Sequence, residues 1–429
     1  MKIIDQLLLL TIFKVFEILV YDRISPIVSN FIFDSQHGFV KNRSTVTNLV
    51  NITQFAAECV DAGLQCDVIY TDVSKAFDRL NQNLLCTKLI SYGFAPSLVK
   101  VIRSFLTNRK LYVFFMGYES FKFIAKSGVP QGSILGPLLR FFFYQRYYWL
   151  FELQLFAYAD DLKIFSKITD THDCIALQNN LDSVDVWCKS NGLNLNVGKC
   201  QVMTFSKKFN KITFDYIISG VTLKRPEFVR DLGVIFDSSL SFREHQSAVV
   251  SSCFKKLGCI LRNSFQLCNT KTFLLLFTAL IRSSLEYANI IWHSGYKIHV
   301  ETLESVQRRF LKFLAFREDG VYPCRGFYED FLCLRFCLQK LDTRNKLHLL
   351  VFLWKLINND IKCDSLIEKL KLNTKCLKLR DSRLFYVDIP KSNVYKFSPF
   401  FRMCSLANNL RNEIDVFCCD ISTIRTFFA

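Results

Sequence analysis

The amino-acid sequence predicts an α/β region that is followed by a mainly α-helical region. Short strand-like runs alternate with helical periodicity up to about residue 220. From about residue 245 onward the apolar residues recur mainly at helical spacing, and residues 300–316 carry them on one stripe with basic residues between. A short β-rich link over 221–243 joins the two regions. Since 50% of the 429 residues are hydrophobic, the chain can bury a sizeable core.

The first elements of the α/β region follow from local patterns. The first twenty residues predict an amphipathic helix, because Lys14 and Glu17 interrupt an otherwise apolar run. Residues 66–80, CDVIYTDVSKAFDRL, begin as a β-rich strand that ends at about Asp72 and then turn helical. Residues 127–139, SGVPQGSILGPLL, predict a Gly/Pro-rich loop that enters a helix.

Three more elements follow along the chain. Residues 156–165, FAYADDLKIF, predict two short apolar strands joined by a tight acidic turn. Residues 175–188 place apolar side chains on one helical face, and the Asn-Gly pair at 191–192 predicts the end of that helix. Residues 193–206, LNLNVGKCQVMTFS, alternate as a strand.

Charge and cysteine content limit the class of protein. The net charge of +17, from 55 Lys and Arg against 38 Asp and Glu, favours a polyanionic partner, nucleic acid before membrane. The 17 cysteines include no C-x-x-C pair and are typical of small core residues in a reducing compartment. No apolar run reaches the ~18–20 residues of a membrane helix, and no small-residue cleavage site follows the apolar start. We expect an intracellular protein, cytoplasmic or nuclear or both, that is neither secreted nor transmembrane.

Two adjacent carboxylates, Asp160 and Asp161, lie in the apolar 156–165 stretch. Burying two ionised carboxylates side by side is costly, since each raises the pKa of the other. A solvated turn is the simplest explanation. The alternative is a metal site that also includes Asp72, which ends another predicted strand. If the two strands are neighbours in one sheet, three carboxylates meet at one edge, where a pair of Mg²⁺ ions would neutralise them.

The motifs of the chain resemble a known family. YADD in an apolar hairpin, preceded by TDVSKAFD and GVPQGSILGPLL, is similar to the catalytic core of reverse transcriptases, in particular those of jockey-like non-LTR retrotransposons. Further segments fit in family order: FKVFEILVYDRI (13–24), QHGFVKNRST (36–45), FLTNRKLYV (105–113), NGLNLNVGKCQVMTFS (191–206), VRDLGVIFDSSLSFREH (229–245) and SSLEYANIIWH (283–293). The resemblance covers nearly the whole chain.

The resemblance implies a role for individual residues. It makes Asp72, Asp160 and Asp161 the ligands of two Mg²⁺ ions, with Mn²⁺ as a possible substitute, and it makes Lys199 a catalytic lysine near the triphosphate. The alternative for Lys199 is a solvated strand-end lysine. The implied nucleotide-binding residues are Arg43, Phe77, Gln131 and Gly132. Phe77 would be the aromatic steric gate that rejects a ribose 2′-OH, and the alternative is that it is an ordinary core residue. The implied nucleic-acid-binding residues are Lys41, Arg109, Leu232 and Gly233.

The resemblance also implies the fold and the partners. It predicts the α/β palm and partial fingers of a right-hand polymerase over 1–220, a primer-grip hairpin and thumb over 221–300, and a helical C-terminal extension over 301–429. The implied partners are an RNA template, a DNA primer and dNTPs, and neither a membrane nor a protein partner is implied. Two alternatives remain: a catalytically inactive nucleic-acid-binding remnant, and an intron-maturase-like RNA-binding protein.

Some features depart from the family pattern. The chain starts within the fingers, no endonuclease domain precedes it, and Gln82 stands where relatives often have His. In residues 140–156, RFFFYQRYYWLFELQLF, nine of seventeen residues are aromatic, and the helical stripe of the preceding segment stops at Arg140. We expect a truncated copy in which two compensating frameshifts replaced this stretch. The replacement would place Arg140, Arg146 and Glu152 among bulky rings, where overpacking and an unpaired buried charge would each cost on the order of 1–3 kcal/mol or more.

Overall fold

The computed structural model describes residues 11–29, 33–74, 78–148, 154–263, 269–324, 329–373 and 383–428. The described residues form two compact units. Unit 1 comprises residues 1–44, 67–202 and 212–226, and unit 2 comprises residues 45–66, 203–211 and 227–429.

The helices and strands of the described residues are numbered in chain order. The helices are α1 (Thr11–Ser29), α2 (Thr45–Asp61), α3 (Gln82–Ser91), α4 (Pro96–Leu106), α5 (Leu135–Tyr148), α6 (Thr171–Ser190), α7 (Arg243–Arg262), α8 (Thr270–Leu276), followed by a π-helical segment (Phe277–Arg282), α9 (Ser283–Glu286), α10 (Asn289–Trp292), α11 (Lys297–Asp319), α12 (Glu329–Arg335), α13 (Leu341–Ile357), α14 (Asp364–Ile367), α15 (Asn393–Lys396), α16 (Pro399–Asn409) and α17 (Ile421–Phe427). The strands are β1 (Gln65–Thr71), β2 (Arg109–Leu111), β3 (Phe114–Phe115), β4 (Tyr118–Glu119), β5 (Phe123–Ala125), β6 (Leu155–Tyr158), β7 (Asp161–Ile168), β8 (Gln201–Phe205), β9 (Ile217–Ile218), β10 (Val221–Thr222), β11 (Phe228–Asp231) and β12 (Val234–Asp237).

Unit 1 contains β6, β7 and the greater part of β1, which are neighbours in a sheet with the strand order β6-β7-β1-β8. Helices α5 and α6 supply much of its core, which includes the fully buried side chains of Phe142, Ile164 and Leu177. The predicted helix over 175–188 is confirmed as α6. A capping box begins it, because the side chains of Asp170 and Asp173 accept the first free backbone N–H groups. At the other end, the backbone N–H and the Nδ2 of Asn191 donate to the carbonyl of Trp187.

Unit 2 is mainly helical after the β11–β12 hairpin. On α11 the predicted apolar stripe is buried at Leu303, Val306, Phe310 and Leu314. The ring of Phe310 stacks on Phe277 with 4.2 Å between the ring centroids. The predicted fold class, an α/β region followed by a mainly α-helical region, is therefore confirmed.

The structure corrects two expectations of local structure. The helical pattern does not stop at Arg140, because α5 continues to Tyr148 and buries Phe142 and Phe143 completely. Phe142 packs edge-on against Phe94, with 5.0 Å between the ring centroids, so the bulky rings fill the core of unit 1. The strand predicted over 193–206 is limited to β8, since the chain turns over 197–199 before β8 begins. Residues 149–153 lie outside the described residues.

No helix in the part of the chain that the structure describes is long and apolar enough to cross a membrane. The cysteines within the same described ranges are free thiols, and most of them are buried.

Candidate functional site

Asp72 follows the last residue of β1 and lies beside the turn that precedes β8. The backbone N–H of Ser74 donates to the carbonyl of Asn194 at 2.9 Å, and the N–H of Asn196 donates to the carbonyl of Asp72 at 2.8 Å. These two bonds hold the turn against the end of β1. As a result, the Nζ of Lys199 lies 3.0 Å from the Oδ2 of Asp72.

Asp160 and Asp161 occupy the turn between β6 and β7, as predicted. The strands are antiparallel, with Tyr158 paired to Asp161, and Ala159 has a left-handed φ of +59°. Strand β7 is the sheet neighbour of β1, and the Oγ1 of Thr71 donates to the carbonyl of Leu162 at 3.2 Å. Thr71 precedes Asp72, and Leu162 follows Asp161. The pairing of β1 with β7 therefore brings the three carboxylates to one end of the sheet.

The charge state of Lys199 reflects all three carboxylates. Its hydrogen bond to Asp72 raises the pKa of the Lys199 ammonium above its ordinary value, and the charges of Asp72, Asp161 and Asp160 raise the pKa further. Lys199 is therefore protonated at neutral pH and lies in the shared negative field of the cluster. We call Asp72, Asp160, Asp161 and Lys199 the carboxylate cluster.

A second cation reaches the cluster from α5. The Nη2 of Arg140 lies 3.4 Å from the Oδ1 of Asp160, and the Arg140 side chain is 3% exposed. An unpaired buried charge is therefore not found at Arg140, whereas the side chains of Arg146 and Glu152 lie outside the described residues. The continuous helix α5 places the guanidinium beneath the β6–β7 turn, where the carboxylate offsets its charge.

The donor chemistry of the cluster fits a divalent cation, because carboxylate oxygens are the ligands that Mg²⁺ prefers. Among the described residues, no group of three or more His, Cys, Asp and Glu side chains is arranged so that it could hold a metal ion. In this arrangement Lys199 and Arg140 neutralise Asp72 and Asp160. A metal would take over that neutralisation from the two cations.

A loop after α1, residues 35–38, supports the β6–β7 turn, a role that the sequence patterns do not predict. The N–H of His37 donates to the carbonyl of Ala157 at 2.9 Å, and the N–H of Ala157 donates to the carbonyl of Ser35 at 2.9 Å. The Oε1 of Gln36 accepts from the N–H of Gly38 at 2.8 Å and of Ala159 at 3.2 Å. The buried Gln36 therefore fixes the turn that carries Asp160. The QHGF motif was the available signal.

The imidazole of His37 is neutral at physiological pH. Burial lowers the pKa of His37 to about 3, and the nearby charges of Arg43 and Lys163 add to this effect. Its ring packs edge-on against Phe156, with 6.1 Å between the ring centroids. His37 thus acts as a packing residue of the loop.

The Gly/Pro-rich loop at 127–132 is connected to the segment after β1. The Nε2 of Gln131 donates to the Oδ1 of Asp78 at 3.0 Å, and the Nε2 of Gln82 donates to the carbonyl of Gly128 at 3.1 Å. Gly132 is exposed with a φ of +81°, a conformation that favours glycine. The loop is therefore braced at both ends, and its exposed backbone at 132 is accessible.

The start of α5 is capped from α1. The Oε2 of the buried Glu17 accepts the N–H groups of Ile134 and Leu135 at 2.6 and 3.1 Å. These N–H groups would otherwise be unsatisfied at a helix N-terminus. Glu17, which interrupts the apolar run of α1, therefore positions the helix that carries Arg140.

Other predicted site residues have defined surroundings in unit 1. Lys41 is exposed. The Nη1 of Arg43 donates to the carbonyls of Asp34 and Gln36 at 2.6 and 2.8 Å. These two bonds hold the start of the 35–38 loop in place. Arg109 donates from Nε to the carbonyl of Leu106 at 2.9 Å. Phe77 lies outside the described residues. Binding roles for these four residues stay predictions.

In unit 2, Leu232 and Gly233 form the turn of the β11–β12 hairpin, with φ values of +43° and +90°. The Oη of Tyr287 donates to the carbonyl of Leu232 at 2.8 Å. The ring of Tyr287 is close to Gly233, where a Cβ would lie 3.2 Å from its Cε1. The predicted primer-grip residues thus form a tight turn that Tyr287 supports.

The family described as reverse transcriptase (RNA-dependent DNA polymerase) matches residues 7–261. The chain belongs to this family. The match includes the three aspartates, Lys199 and the Leu232–Gly233 turn. The fold class of a right-hand polymerase, predicted from the motifs, accords with membership of the reverse transcriptase family.

The curated relatives of this reverse transcriptase chain are mobile-element polymerases of flies. The chain is 29% identical over 323 residues to the RNA-directed DNA polymerase from mobile element jockey of Drosophila funebris, covering 70% of this chain and 34% of the relative. It is 29% identical over 262 residues to the probable RNA-directed DNA polymerase from transposon BS of Drosophila melanogaster, covering 58% and 29%. The predicted resemblance to jockey-like elements is confirmed, and the chain spans about a third of the length of these relatives.

Among solved structures, the chain is similar to telomerase from Candida albicans in complex with a fragment of telomeric RNA, with a TM-score of 0.40 and 12% identity. The match covers 78% of this chain and 51% of that chain.

Proposed function

We propose that the chain contains the polymerase centre of a non-LTR retrotransposon reverse transcriptase. It extends the 3′-OH of a DNA primer with dNTPs on an RNA template. The observation that carries the proposal is the carboxylate cluster at one end of the unit 1 sheet, in a chain of the reverse transcriptase family. Family members normally use divalent metal ions, and the donor chemistry of the cluster agrees with that use.

In this proposal Asp72, Asp160 and Asp161 hold Mg²⁺, or Mn²⁺ in its place. When bound, the metal neutralises triphosphate charge and increases the acidity of the primer hydroxyl. Lys199 is protonated and can stabilise the charge that develops on the leaving pyrophosphate or donate a proton to it. Its hydrogen bond to Asp72 holds the ammonium at the cluster until the substrate competes for it.

The remaining roles concern the nucleotide and the nucleic acid. Gly132 offers a backbone that a nucleotide can approach closely, and Gln131 is held beside it by Asp78. Phe77 remains the proposed gate against the ribose 2′-OH. The Leu232–Gly233 turn is the proposed primer grip, and the net charge of +17 supports phosphate binding. The division into palm and fingers, thumb and C-terminal extension at 220 and 300 remains part of the proposal.

The test is primer extension on poly(rA)/oligo(dT) with the purified chain and with Asp72→Asn and Asp160→Asn. We expect each variant to lose on the order of 10²-fold or more in extension rate, the scale of removing one electrostatic group from a reaction centre. Filter binding of an RNA–DNA hybrid should stay largely intact. Asp22→Asn, at an exposed position on α1, is the matched control. Residual extension near that of the wild type would contradict the metal-binding role.

One observation favours a second candidate function, a nucleic-acid-binding protein without polymerase activity. Arg140 already neutralises Asp160, so the chain carries a built-in competitor for a metal at that carboxylate. Under this alternative the wild-type chain binds the RNA–DNA hybrid but does not extend the primer at any Mg²⁺ or Mn²⁺ concentration. The relatives named above are RNA-directed DNA polymerases of mobile elements, which argues against the intron-maturase-like alternative.

A further inference from the structure

A β-hairpin in unit 1 presents an unusual concentration of exposed aromatic side chains. Strands β2 and β5 pair at its base, from Arg109 with Ala125 to Leu111 with Phe123, and β3 and β4 pair at its tip. We call residues 109–125 the aromatic hairpin. Phe114, Met116, Tyr118 and Phe121 are 65%, 82%, 81% and 88% exposed. Tyr112, Val113, Phe115, Phe123 and Ile124 are also exposed. Exposed apolar groups that cluster in this way mark a binding surface.

The hairpin is an ordered element that is anchored at its base. The Nη2 of Arg109 donates to the carbonyls of Ser127 and Gly128 at 3.1 and 2.9 Å. Nearer the tip, the N–H of Ser120 donates to the carbonyl of Val113, and the Oγ of Ser120 accepts the N–H of Val113, both at 2.9 Å. The backbone that carries the aromatic side chains is therefore ordered before a ligand binds, so less conformational entropy is lost on binding.

The base of the hairpin leads directly into the braced loop of the candidate site. The N–H of Gly128 donates to the carbonyl of Leu80 at 2.8 Å, and the Oγ of Ser127 donates to the carbonyl of Asp78 at 2.6 Å. Gln131 donates to the same Asp78. A ligand on the hairpin would thus lie on the element adjoining the loop proposed to position the nucleotide.

The charge of the segment identifies the kind of ligand. Within residues 107–127 there are four cations, Arg109, Lys110, Lys122 and Lys126, and one carboxylate, Glu119. The Nζ of Lys122 lies 5.7 Å from the centroid of the Tyr112 ring. Lysine is depleted in the apolar cores of protein–protein interfaces, whereas aromatic rings interleaved with cations match a strand of stacked bases and phosphates.

We propose that the aromatic hairpin is a stacking surface for single-stranded nucleic acid, and specifically for single-stranded RNA next to the polymerase centre. The assignment to the RNA template rests on the proposed function, whereas binding of a single strand does not. Bases stack on the exposed rings, and the lysines contact the phosphates. The bases of a duplex are already stacked on one another and do not stack on these rings.

The test measures fluorescence anisotropy of labelled U20 RNA, dT20 DNA and an RNA–DNA hybrid with the wild-type chain and with Phe114→Ser/Tyr118→Ser/Phe121→Ser. We expect the variant to bind U20 at least tenfold more weakly and to bind the hybrid with unchanged affinity. Ile175→Ser/Val186→Ser removes two exposed apolar side chains from α6 instead and should leave U20 binding unchanged. Phe114→Tyr/Tyr118→Phe keeps the rings and should also bind as the wild type does.

Three outcomes would overturn the proposal: unchanged U20 binding by the serine variant, an equal loss with the α6 control, or an equal loss of hybrid binding. A serine variant that binds U20 normally but self-associates less would identify a protein contact instead. Equal losses of affinity for dT20 and U20 would support a binding surface for single strands in general and contradict the assignment to RNA. The result is independent of the polymerase test, because Asp160→Asn should stop extension and leave U20 binding intact.

Discussion

Arg140 is one buried side chain that changes the charge balance of the proposed metal site. Its guanidinium is 3.4 Å from Asp160, whose side chain is 32% exposed. A metal ion at that carboxylate would be repelled by the guanidinium, and solvent at the half-open carboxylate reduces this repulsion. The guanidinium therefore lowers the affinity of the cluster for cations, because it neutralises one of the carboxylate donors.

We predict that Arg140→Leu binds Mn²⁺ more tightly, by on the order of tenfold or about 1.4 kcal/mol. The measurement is a titration of free Mn²⁺ by electron paramagnetic resonance, which does not depend on catalysis. Arg140→Lys keeps the positive charge and should bind Mn²⁺ as the wild type does. Equal affinities for the leucine variant and the wild type would show that Arg140 does not compete with the metal.

Among elements, the 35–38 loop and the β6–β7 turn form one structural unit. A Cβ at Gly38 would lie 2.3 Å from the backbone nitrogen of Ala159, closer than any van der Waals contact allows. Since Gln36 bonds both Gly38 and Ala159, a change at either position is transmitted to the other. The turn that carries Asp160 therefore depends on an element far from it in sequence.

Gly38→Ala should displace the turn, destabilise the chain by about 1–3 kcal/mol and reduce primer extension more than tenfold. The hybrid should still bind, because the change moves one carboxylate and not the basic surface. Gly258→Ala, about one turn before the end of α7, is the matched control. The Cβ there meets only the end of the Arg262 side chain at 3.5 Å, so stability should rise by about 0.5–1 kcal/mol. Full extension activity in Gly38→Ala would mean that the loop does not position Asp160.

For the whole molecule, buried ionisable groups link stability to pH. Glu304 on α11 is 6% exposed, and burial raises the pKa of its carboxyl from 4.5 to about 7. Between pH 4.5 and 7 the folded chain therefore holds a proton that the unfolded chain releases, so this group lowers stability as pH rises through that window. Burial lowers the pKa of His293 to about 4, which makes stability fall as pH drops below 6.5.

Glu304→Gln should unfold with the same free energy as the wild type near pH 4.5 and be more stable at pH 8, by on the order of 1–3 kcal/mol. The amide oxygen can still accept the N–H of Asp342, which the carboxylate accepts at 3.0 Å. Urea unfolding at both pH values is the measurement, and the histidines affect both proteins equally. A difference that does not change with pH would mean that Glu304 is ionised in the folded chain.

The local elements were largely predictable, because burial periodicity is a property of neighbouring residues. The stripe on α11, the helix α6 with its Asn191 end and the acidic β6–β7 turn all agree with the sequence patterns. The same dependence on neighbouring residues explains why the pattern wrongly predicts that the helix ends at Arg140. A charged side chain ends an apolar stripe in sequence, whereas in the structure α5 continues and the charge meets a carboxylate.

The sequence by itself determined the family and the fold class, and it singled out the three aspartates and Lys199 as the proposed site, since each motif is contiguous. Only the tertiary structure decided that β1 and β7 are sheet neighbours, that Lys199 bonds Asp72 and that Gln36 holds the Asp160 turn. The same holds for Arg43 and Arg109, whose guanidinium groups bind backbone carbonyls of nearby loops. These contacts join residues that are mostly far apart in the chain, and their partners are backbone atoms or single side chains. Such a contact depends on how the strands pack, and local composition carries no record of it.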